Sequence, residues 1–217
     1  FYFHAKSVGD PDVESQKKYN SIEIEETFGV NVEITSEQLT VSPGEYAAFP
    51  IQVTNKGNSR TEITLVKPDI AYEDWEVYWT SSPESSTEID TTGNLDPDET
   101  TTVYLKVESS SNTSKALARS YIIPFKVKSG TGTDTVYDYG NVTVNIDRKY
   151  GIAVSASIDS DSIKPGEKTT YYIKVENRGN AWDNFTYEII DSAKFNWAYL
   201  DEKNVTKSTP DHPNGYN

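Results

Sequence analysis

The chain has 217 residues, of which 35% are hydrophobic and 12% aromatic, and its formal net charge at pH 7 is −14. The aromatic content is too high for a disordered chain, and the length suits about two small domains. The negative charge argues against a nucleic-acid-binding protein and a polybasic membrane-surface protein, because both need clustered lysine or arginine.

The sequence contains neither Cys nor Met. Disulfides and thiolate metal sites are therefore excluded. No run approaches the roughly 20 apolar residues that a transmembrane helix needs. Because Phe1 is not a translation start, we expect a soluble piece of a longer protein whose signal peptide or anchor lies elsewhere.

Apolar residues alternate with a period of two along the chain, which predicts β-strands. Between residues 28 and 149 the alternation predicts about seven strands and little helix, the spacing of an all-β, immunoglobulin-like (Ig-like) β-sandwich. The alternating residues, in chain order, are Val30, Val32, Ile34, Phe49, Ile51, Val53, Ile63, Leu65, Trp75, Val77, Trp79, Val103, Leu105, Val107, Tyr121, Ile123, Phe125, Val127, Val142, Val144 and Ile146. Trp75 and Trp197 are both predicted to be core anchors, because each has an apolar neighbour two residues further on. Trp79 and Trp182 have no matched partner elsewhere in the chain, which makes them candidates for surface roles.

Three turns separate the predicted strands. In residues 42–45 (Ser-Pro-Gly-Glu), Pro presets φ and Gly44 is expected to take the positive φ of a type II turn. In residues 55–58 (Asn-Lys-Gly-Asn), Asn and Gly are expected at left-handed positions. Residues 95–100 (Leu-Asp-Pro-Asp-Glu-Thr) form the third predicted corner.

The same pattern recurs 122 residues further along the chain, without a gap. The matched segments are residues 28–30 and 150–152, residues 43–45 and 165–167, residues 55–58 and 177–180, and the tryptophans Trp75 and Trp197. A fixed period of this kind is typical of repeat architectures. We therefore expect tandem Ig-like repeats of about 122 residues. Residues 1–27 would be the C-terminal strands of a preceding repeat, 28–149 a complete β-sandwich, and 150–217 the N-terminal part of a further repeat.

The order apolar-x-Pro-Gly-Glu, alternating strand, Asn-x-Gly-Asn, further strand resembles the Ig-like modules of archaeal and bacterial cell-surface proteins. It is most similar to the CARDB-type (cell-adhesion-related) domain and to the module associated with α-galactosidase carbohydrate-binding regions. The resemblance covers the chain from about residue 28 and again from about residue 150. It implies the fold and the spacer role that such modules have in S-layer proteins, adhesins and extracellular enzymes, and it supplies no catalytic residues.

The sequence carries no recognisable catalytic constellation. The only two histidines, His4 and His212, fall in different repeats, and there is no Cys nucleophile, Gly-x-Ser-x-Gly elbow or His-Glu-x-x-His helix. A glycosidase-type carboxylate pair among the 34 acidic residues stays open, because separations in space are invisible in sequence. An active site on each small sandwich would be unusual, so we predict a protein that is not an enzyme and needs no cofactor.

Calcium is the one metal for which the sequence offers candidates. Carboxylates two residues apart in turn-rich loops can surround a hard cation with oxygen atoms. These candidates are Asp10, Asp12, Glu14, Asp96, Asp98, Asp159 and Asp161. Further candidates lie beside the repeat junctions, at Glu25, Glu26 and Asp147. None matches an EF-hand, and solvated loop acids are the alternative interpretation.

N-glycosylation sequons begin at Asn112, Asn141, Asn184 and Asn204. Their number is what chance gives in a chain rich in Ser and Thr, so the count is no evidence. Asn141 and Asn184 fall on the outward phase of predicted strands whose inward residues are Val142 and Phe185. An exposed Asn in a secreted chain can carry a glycan.

These patterns favour a non-enzymatic extracellular structural protein, a repeat segment of a cell-surface layer, stalk or filament. The alternative is a spacer or carbohydrate-binding region of a large secreted hydrolase or adhesin, which exposed aromatic platforms matched between repeats would favour. The expected partners are other copies of the chain or neighbouring repeats, with surface glycans as a further option. Ile22, Ile24 and Ile173 need partner strands. Missing parts of the full chain would provide them, or strands exchanged between copies would.

Overall fold

The structure is a computed structural model that describes residues 2–157, 162 and 164–186. The described residues are all-β, and their only helix is a short 3-10 turn at Gly132–Asp134. The strands are β1 Tyr2–Phe3, β2 Lys18–Tyr19, β3 Val30–Ile34, β4 Gln38–Val41, β5 Tyr46–Asn55, β6 Thr61–Val66, β7 Glu76–Thr80, β8 Thr91–Leu95, β9 Thr100–Glu108, β10 Ser120–Ser129, β11 Val136–Ile146, β12 Ile152–Ala156 and β13 Ile173–Asn177.

Strands β3 to β11 form a β-sandwich of two sheets. The five-stranded sheet has the order β4-β11-β10-β6-β8 and the four-stranded sheet the order β3-β5-β9-β7. The sandwich therefore has nine strands instead of the predicted seven or so. The two extra strands, β4 and β8, are short edge strands that were missed because β4 alternates over only four residues and β8 contains a single apolar residue.

The predicted core is confirmed. Phe49, Ile51, Val53 and Leu105 are 0% exposed, and they lie inside a single cluster formed by both sheets. Each such side chain contributes roughly 1.5–3 kcal/mol by leaving water. The alternation is visible along β10, where every second residue from Tyr121 to Ser129 is buried.

Trp79 corrects one expectation, because it is a core residue and not a surface one. It is 1% exposed, its ring meets Phe125 edge-on at 5.4 Å, and its indole N–H donates to the Val66 carbonyl at 3.0 Å. Strand β7 puts Trp79 on the same side as Val77. The position of Trp79 in the alternation of β7 therefore determines that it is buried, and the absence of a tryptophan 122 residues away does not affect this.

The two sheets are joined along one edge by a side chain. Asp138 of β11 accepts a hydrogen bond from the Val32 N–H of β3 at 2.7 Å. Val32 N–H belongs to the edge strand of the four-stranded sheet, so the carboxylate takes the place of a strand partner. An edge satisfied in this way is less open to pairing with another chain.

The Pro-Gly-Glu turn is confirmed. Glu45 N–H donates to the Ser42 carbonyl at 3.0 Å and Gly44 has φ of 86°. The Glu45 carboxylate also accepts from Ser42 N–H at 3.1 Å, which locks the turn from its other side. The same pair of bonds closes residues 96–99 and 164–167, with Asp98 (φ 61°) and Gly166 (φ 85°) in the left-handed position.

At residues 55–58 the predicted reason for Asn and Gly, a left-handed backbone, is wrong. Neither Asn55 nor Gly57 has a positive φ. Glycine is needed for space, because a Cβ on Gly57 would lie 2.4 Å from the Thr27 carbonyl oxygen. The turn is pressed against the chain that precedes the sandwich.

Candidate inter-module junction

The chain that enters the sandwich is held by four hydrogen bonds, which we call the first clasp. The Asn58 side chain accepts from Thr27 N–H at 2.8 Å and donates to the Glu25 carbonyl at 2.9 Å. Asn58 N–H donates to the Thr27 carbonyl at 3.1 Å, and Lys56 N–H donates to the Gly29 carbonyl at 2.9 Å. Backbone and side chain together fix the incoming segment to the turn.

The chain that leaves the sandwich is held by the same four bonds, which we call the second clasp. The Asn180 side chain accepts from Lys149 N–H at 2.7 Å and donates to the Asp147 carbonyl at 2.8 Å. Asn180 N–H donates to the Lys149 carbonyl at 3.1 Å, and Arg178 N–H donates to the Gly151 carbonyl at 2.9 Å. Each residue stands 122 positions after its counterpart in the first clasp.

The glycines and the inner asparagines of the two clasps also correspond. A Cβ on Gly179 would lie 2.5 Å from the Lys149 carbonyl oxygen, as on Gly57 it would meet Thr27. Asn55 accepts from Gly57 N–H at 2.9 Å, and Asn177 accepts from Gly179 N–H at 2.8 Å. In each clasp the first asparagine, Asn55 or Asn177, therefore stabilises the turn itself, while the second, Asn58 or Asn180, binds the linker.

Strand registers outside the clasps follow the same offset. Strand β12 pairs with β13 so that Ile152 faces Asn177, as Val30 faces Asn55 between β3 and β5. At the other end of the chain, Phe3 of β1 faces Lys18 of β2. The equivalent positions in the sandwich, Phe125 and Gly140, face each other between β10 and β11.

The second clasp has an additional contact that sequence reasoning missed, with the loop of residues 112–118. The Asn180 side-chain amide donates a further bond to the Ala116 carbonyl at 3.1 Å, and the Asn180 backbone carbonyl accepts a bond from Ala118 N–H at 2.9 Å. The Thr113 hydroxyl donates to the Arg178 carbonyl at 3.1 Å. Asn180 is consequently 1% exposed. These contacts span about 64 residues of sequence, so no local pattern reveals them.

The core of the sandwich fixes the position of this loop. The Trp75 indole N–H donates to the Lys115 carbonyl at 3.2 Å. The Tyr121 hydroxyl accepts from Leu117 N–H at 2.9 Å and donates to the Leu117 carbonyl at 3.2 Å. Trp75 and Tyr121 pack with ring centroids 4.5 Å apart. Core aromatics thus hold the loop that in turn holds Asn180.

Apolar residues outside the sandwich are exposed where their counterparts inside it are buried. Ile22 and Ile24 are 76% and 81% exposed, whereas Val144 and Ile146 are 0% and 5% exposed. Ile173 of β13 is 52% exposed. The segment that contains Ile22 and Ile24, which lies outside the strands, and the strand pair β12-β13 therefore expose apolar side chains that further strands can cover.

The candidate calcium ligands lie in exposed loops, and the structure does not gather them. The Asp10 carboxylate accepts from Asp12 N–H at 3.2 Å, and Glu14 forms an ion pair with Lys6. Asp98 pairs with Lys56 at 2.9 Å, and Asp96 lies 3.6 Å from Arg60. Among the described residues no group of three or more acidic, His or Cys side chains is placed to hold a metal. Asp159 and Asp161 lie outside the described residues. Calcium binding stays a prediction.

The other junction acids are used in the clasps or near them. The Glu26 carboxylate accepts from the Ser59 hydroxyl, and Asp147 N–H donates to the Val41 carbonyl at 2.9 Å. Glu25 contributes its backbone carbonyl to the first clasp.

Three of the four candidate glycosylation sites are described, and all three are exposed. Asn141 lies on β11 beside buried Val142, as expected. Asn184 lies beyond β13 and outside any strand, which corrects the expectation of a strand there. The Asn112 side chain accepts from the Ser114 hydroxyl at 2.8 Å, so part of its sequon is closed into a local turn. Asn204, like Trp197, lies outside the described residues. Glycosylation stays a prediction.

Comparison with known proteins yields distant likenesses of fold. No family model matches the chain, and no curated protein matches it. Among solved structures it is similar to domains 4 and 5 of the S-layer protein SbsC, at 16% identity and a TM-score of 0.29, over 60% of this chain and 58% of that one. It is also similar to AggA, the major subunit of aggregative adherence fimbriae type I from Escherichia coli, at 8% identity and a TM-score of 0.33, over 59% of this chain and 100% of that one.

A third similar structure is the CooA pilin subunit from enterotoxigenic Escherichia coli, at 13% identity and a TM-score of 0.30, over 54% of this chain and 98% of that one. At such TM-scores these likenesses carry no argument about function. Within the described residues, no helix is both long and apolar enough for a membrane span.

Proposed function

We propose that the chain is a non-enzymatic structural segment of an extracellular protein, built from Ig-like modules in a cell-surface layer, stalk or filament. The observation that carries the proposal is the clasp that occurs twice with the same bonds, on the chain entering the sandwich and on the chain leaving it. A protein that uses one module repeatedly needs a joint that fixes each module to the next.

The second clasp supports a stiff joint. Asn180 is buried and bonds both to the linker at Asp147 and Lys149 and to the loop at Ala116 and Ala118. Rotation of the following segment would break all of these bonds together and leave buried polar groups unpaired, which costs about 1–3 kcal/mol per group. A fixed joint suits spacing and display.

A carbohydrate-binding or spacer region of a secreted hydrolase or adhesin is the second candidate, favoured by one observation. Tyr137 and Tyr139 are exposed on β11, with ring centroids 6.3 Å apart and nearly parallel. Stacked exposed rings are suited to sugar faces. The positions 122 residues earlier are Ser15 and Lys17, however, so the platform is not repeated. This favours assembly over repeated glycan binding.

The exposed apolar side chains on either side of the sandwich fit the same proposal. Further strands of the same kind would cover Ile22, Ile24 and Ile173 as the sandwich covers Val144, Ile146 and Ile51. Those strands come from the rest of the full-length protein or from another copy by strand addition, the second of which generates a head-to-tail filament.

The test of the proposal is the location of the protein. Antibodies against residues 28–149 should label intact, unpermeabilised cells of the source organism in a continuous layer or along filaments. Labelling that requires permeabilised cells would contradict an extracellular structural role. Binding of a glycan array by the purified chain, lost in Tyr137→Ser/Tyr139→Ser, would favour the second candidate.

We expect calcium removal to leave the stability unchanged. A ligand that binds only the folded state raises the melting temperature by mass action, so chelation must lower it wherever a site is filled. The described candidate acids are exposed, and several are already paired with lysine or arginine. Melting curves with calcium and with a chelator should coincide. A lower melting temperature with the chelator would establish a calcium site.

A further inference from the structure

The outward surface of the four-stranded sheet, which we call the acidic face, carries carboxylates without partners. Glu33, Glu76 and Glu108 alternate with core-facing residues on β3, β7 and β9. Glu76 lies directly opposite Glu108 across β7 and β9. Like charges placed opposite each other destabilise a sheet, and neither carboxylate has a cation partner among the described residues.

The lysine on the acidic face does not neutralise this pair. Lys106 is 5% exposed, and its Nζ lies 3.8 Å from the centre of the Tyr46 ring, which covers it. The burial of the neighbouring Tyr78, and then the carboxylates of Glu108 and Glu76, raise its pKa above the usual value, which agrees with the placement of these two carboxylates on the same face. The surface around Glu76 and Glu108 is therefore negative.

The outward surface of β10 and β11 in the five-stranded sheet, which we call the basic face, has the complementary pattern. Lys126 and Lys128 of β10 are opposite Tyr139 and Tyr137 of β11. The lysines are the only charged residues on the outward side of these two strands, and neither has an ion-pair partner in the part of the chain that the structure describes. The neighbouring strand β6 adds one exposed carboxylate, Glu62, on the same side. Tyr139 is 66% exposed, and the Lys126 Nζ lies 5.6 Å from the centre of the Tyr137 ring, so aromatic ring area lies beside the lysine charges.

We propose that the basic face of one copy of this chain binds the acidic face of a second copy, with Lys126 and Lys128 against Glu76 and Glu108. The inference rests on the proposed structural function and names the partner surface for lateral assembly. Two lysines two residues apart on one strand can reach two carboxylates on adjacent strands. Binding relieves the repulsion within each pair and covers the tyrosines.

The arrangement of the two faces makes this contact propagate. They lie on opposite sides of one sandwich, so a copy that is bound through its basic face still has a free acidic face. An interface between two different patches does not close a dimer and extends into a row. The face of the four-stranded sheet measures about 30 Å by about 15 Å and that of the five-stranded sheet about 30 Å by about 20 Å. Both areas are below that of a typical stable interface, so single contacts are weak and an array strengthens them.

The test compares charge-reversed variants of the full chain by sedimentation velocity at two salt concentrations. The low one is about 0.1 M, where the Debye length of about 10 Å screens the net charge of −14 on each copy, and the high one is about 0.5 M. Wild-type chains should associate at low salt and dissociate at high salt. Lys126→Glu/Lys128→Glu and Glu76→Lys/Glu108→Lys should each weaken self-association about tenfold or more, since like charges then meet across the contact. An equimolar mixture of the two variants should associate again, because each supplies the face that the other has lost.

The matched control for the lysine variant is Lys164→Glu/Lys168→Glu, which makes the same change of net charge at two exposed lysines that lie on neither sheet of the sandwich. It should associate as the wild type does. Equal weakening in this control, a mixture that does not regain association, or wild-type chains that stay monomeric would each overturn the contact. Self-association that is unchanged by all four substitutions on the two faces would also overturn the contact, because the copies would then bind through another surface, such as the exposed apolar side chains outside the sandwich. Surface labelling of cells tests the proposed function independently of these outcomes.

Discussion

Replacing Trp79 by Ala should lower the free energy of unfolding of the sandwich by about 3–5 kcal/mol. The side chain is 1% exposed, so its removal leaves a cavity between the sheets where it meets Phe125. The substitution also removes the indole donor from the Val66 carbonyl. Urea unfolding followed by far-UV circular dichroism measures the loss, because this signal does not depend on the tryptophan replaced.

Trp182→Ala is the control for Trp79→Ala. Trp182 is 52% exposed, and surface substitutions usually change stability by less than about 0.5 kcal/mol. Trp79→Phe should fall between the two, because it keeps a ring beside Phe125 and loses only the hydrogen bond and part of the volume. A wild-type unfolding midpoint in Trp79→Ala would mean that the two sheets do not pack as described.

The sandwich core could be predicted from the sequence because long central strands obey the period of two strictly. In β5 and β10 the buried and exposed residues alternate over most of ten positions. The edge strands β3 and β7 carry the same signal, whereas β4 and β8 were missed because each has at most two apolar residues, too few to establish a period.

The clasps could be predicted only in part. The recurrence of Asn-x-Gly-Asn marked their positions, and the reason first assigned to glycine, a left-handed backbone, was wrong. The actual reason is the approach of Gly57 to the Thr27 carbonyl, a contact between segments about 30 residues apart. The loop of residues 112–118 gave no signal at all, because its contacts with Asn180 depend on how the sandwich holds it through Trp75 and Tyr121.

Asn180→Ala should release the segment that follows the sandwich. The substitution removes the acceptor for Lys149 N–H and the donor for the Asp147 and Ala116 carbonyls, in a place where water does not replace them. The Ala116 bond is fully buried and is worth about 1–3 kcal/mol, and the two part-buried linker bonds are worth about 0.5–1.5 kcal/mol each, so the joint should lose about 2–6 kcal/mol. Hydrogen exchange should then accelerate at the amides of Lys149, Asn180 and Ala118, while the core amides of β5 and β9 stay protected.

Asn58→Ala is the matched control, because Asn58 makes the same two linker bonds as Asn180 but is exposed and has no contact with a loop. Water can satisfy the groups that it leaves, so its cost should be about 0.5–1.5 kcal/mol. The difference between the two variants then measures what the loop of residues 112–118 adds to the joint. Small-angle X-ray scattering should show a broader range of orientations for Asn180→Ala than for Asn58→Ala. Equal exchange rates and equal scattering in the two variants would mean that the loop contact does not stiffen the junction, and that the linker bonds alone set the spacing of the modules.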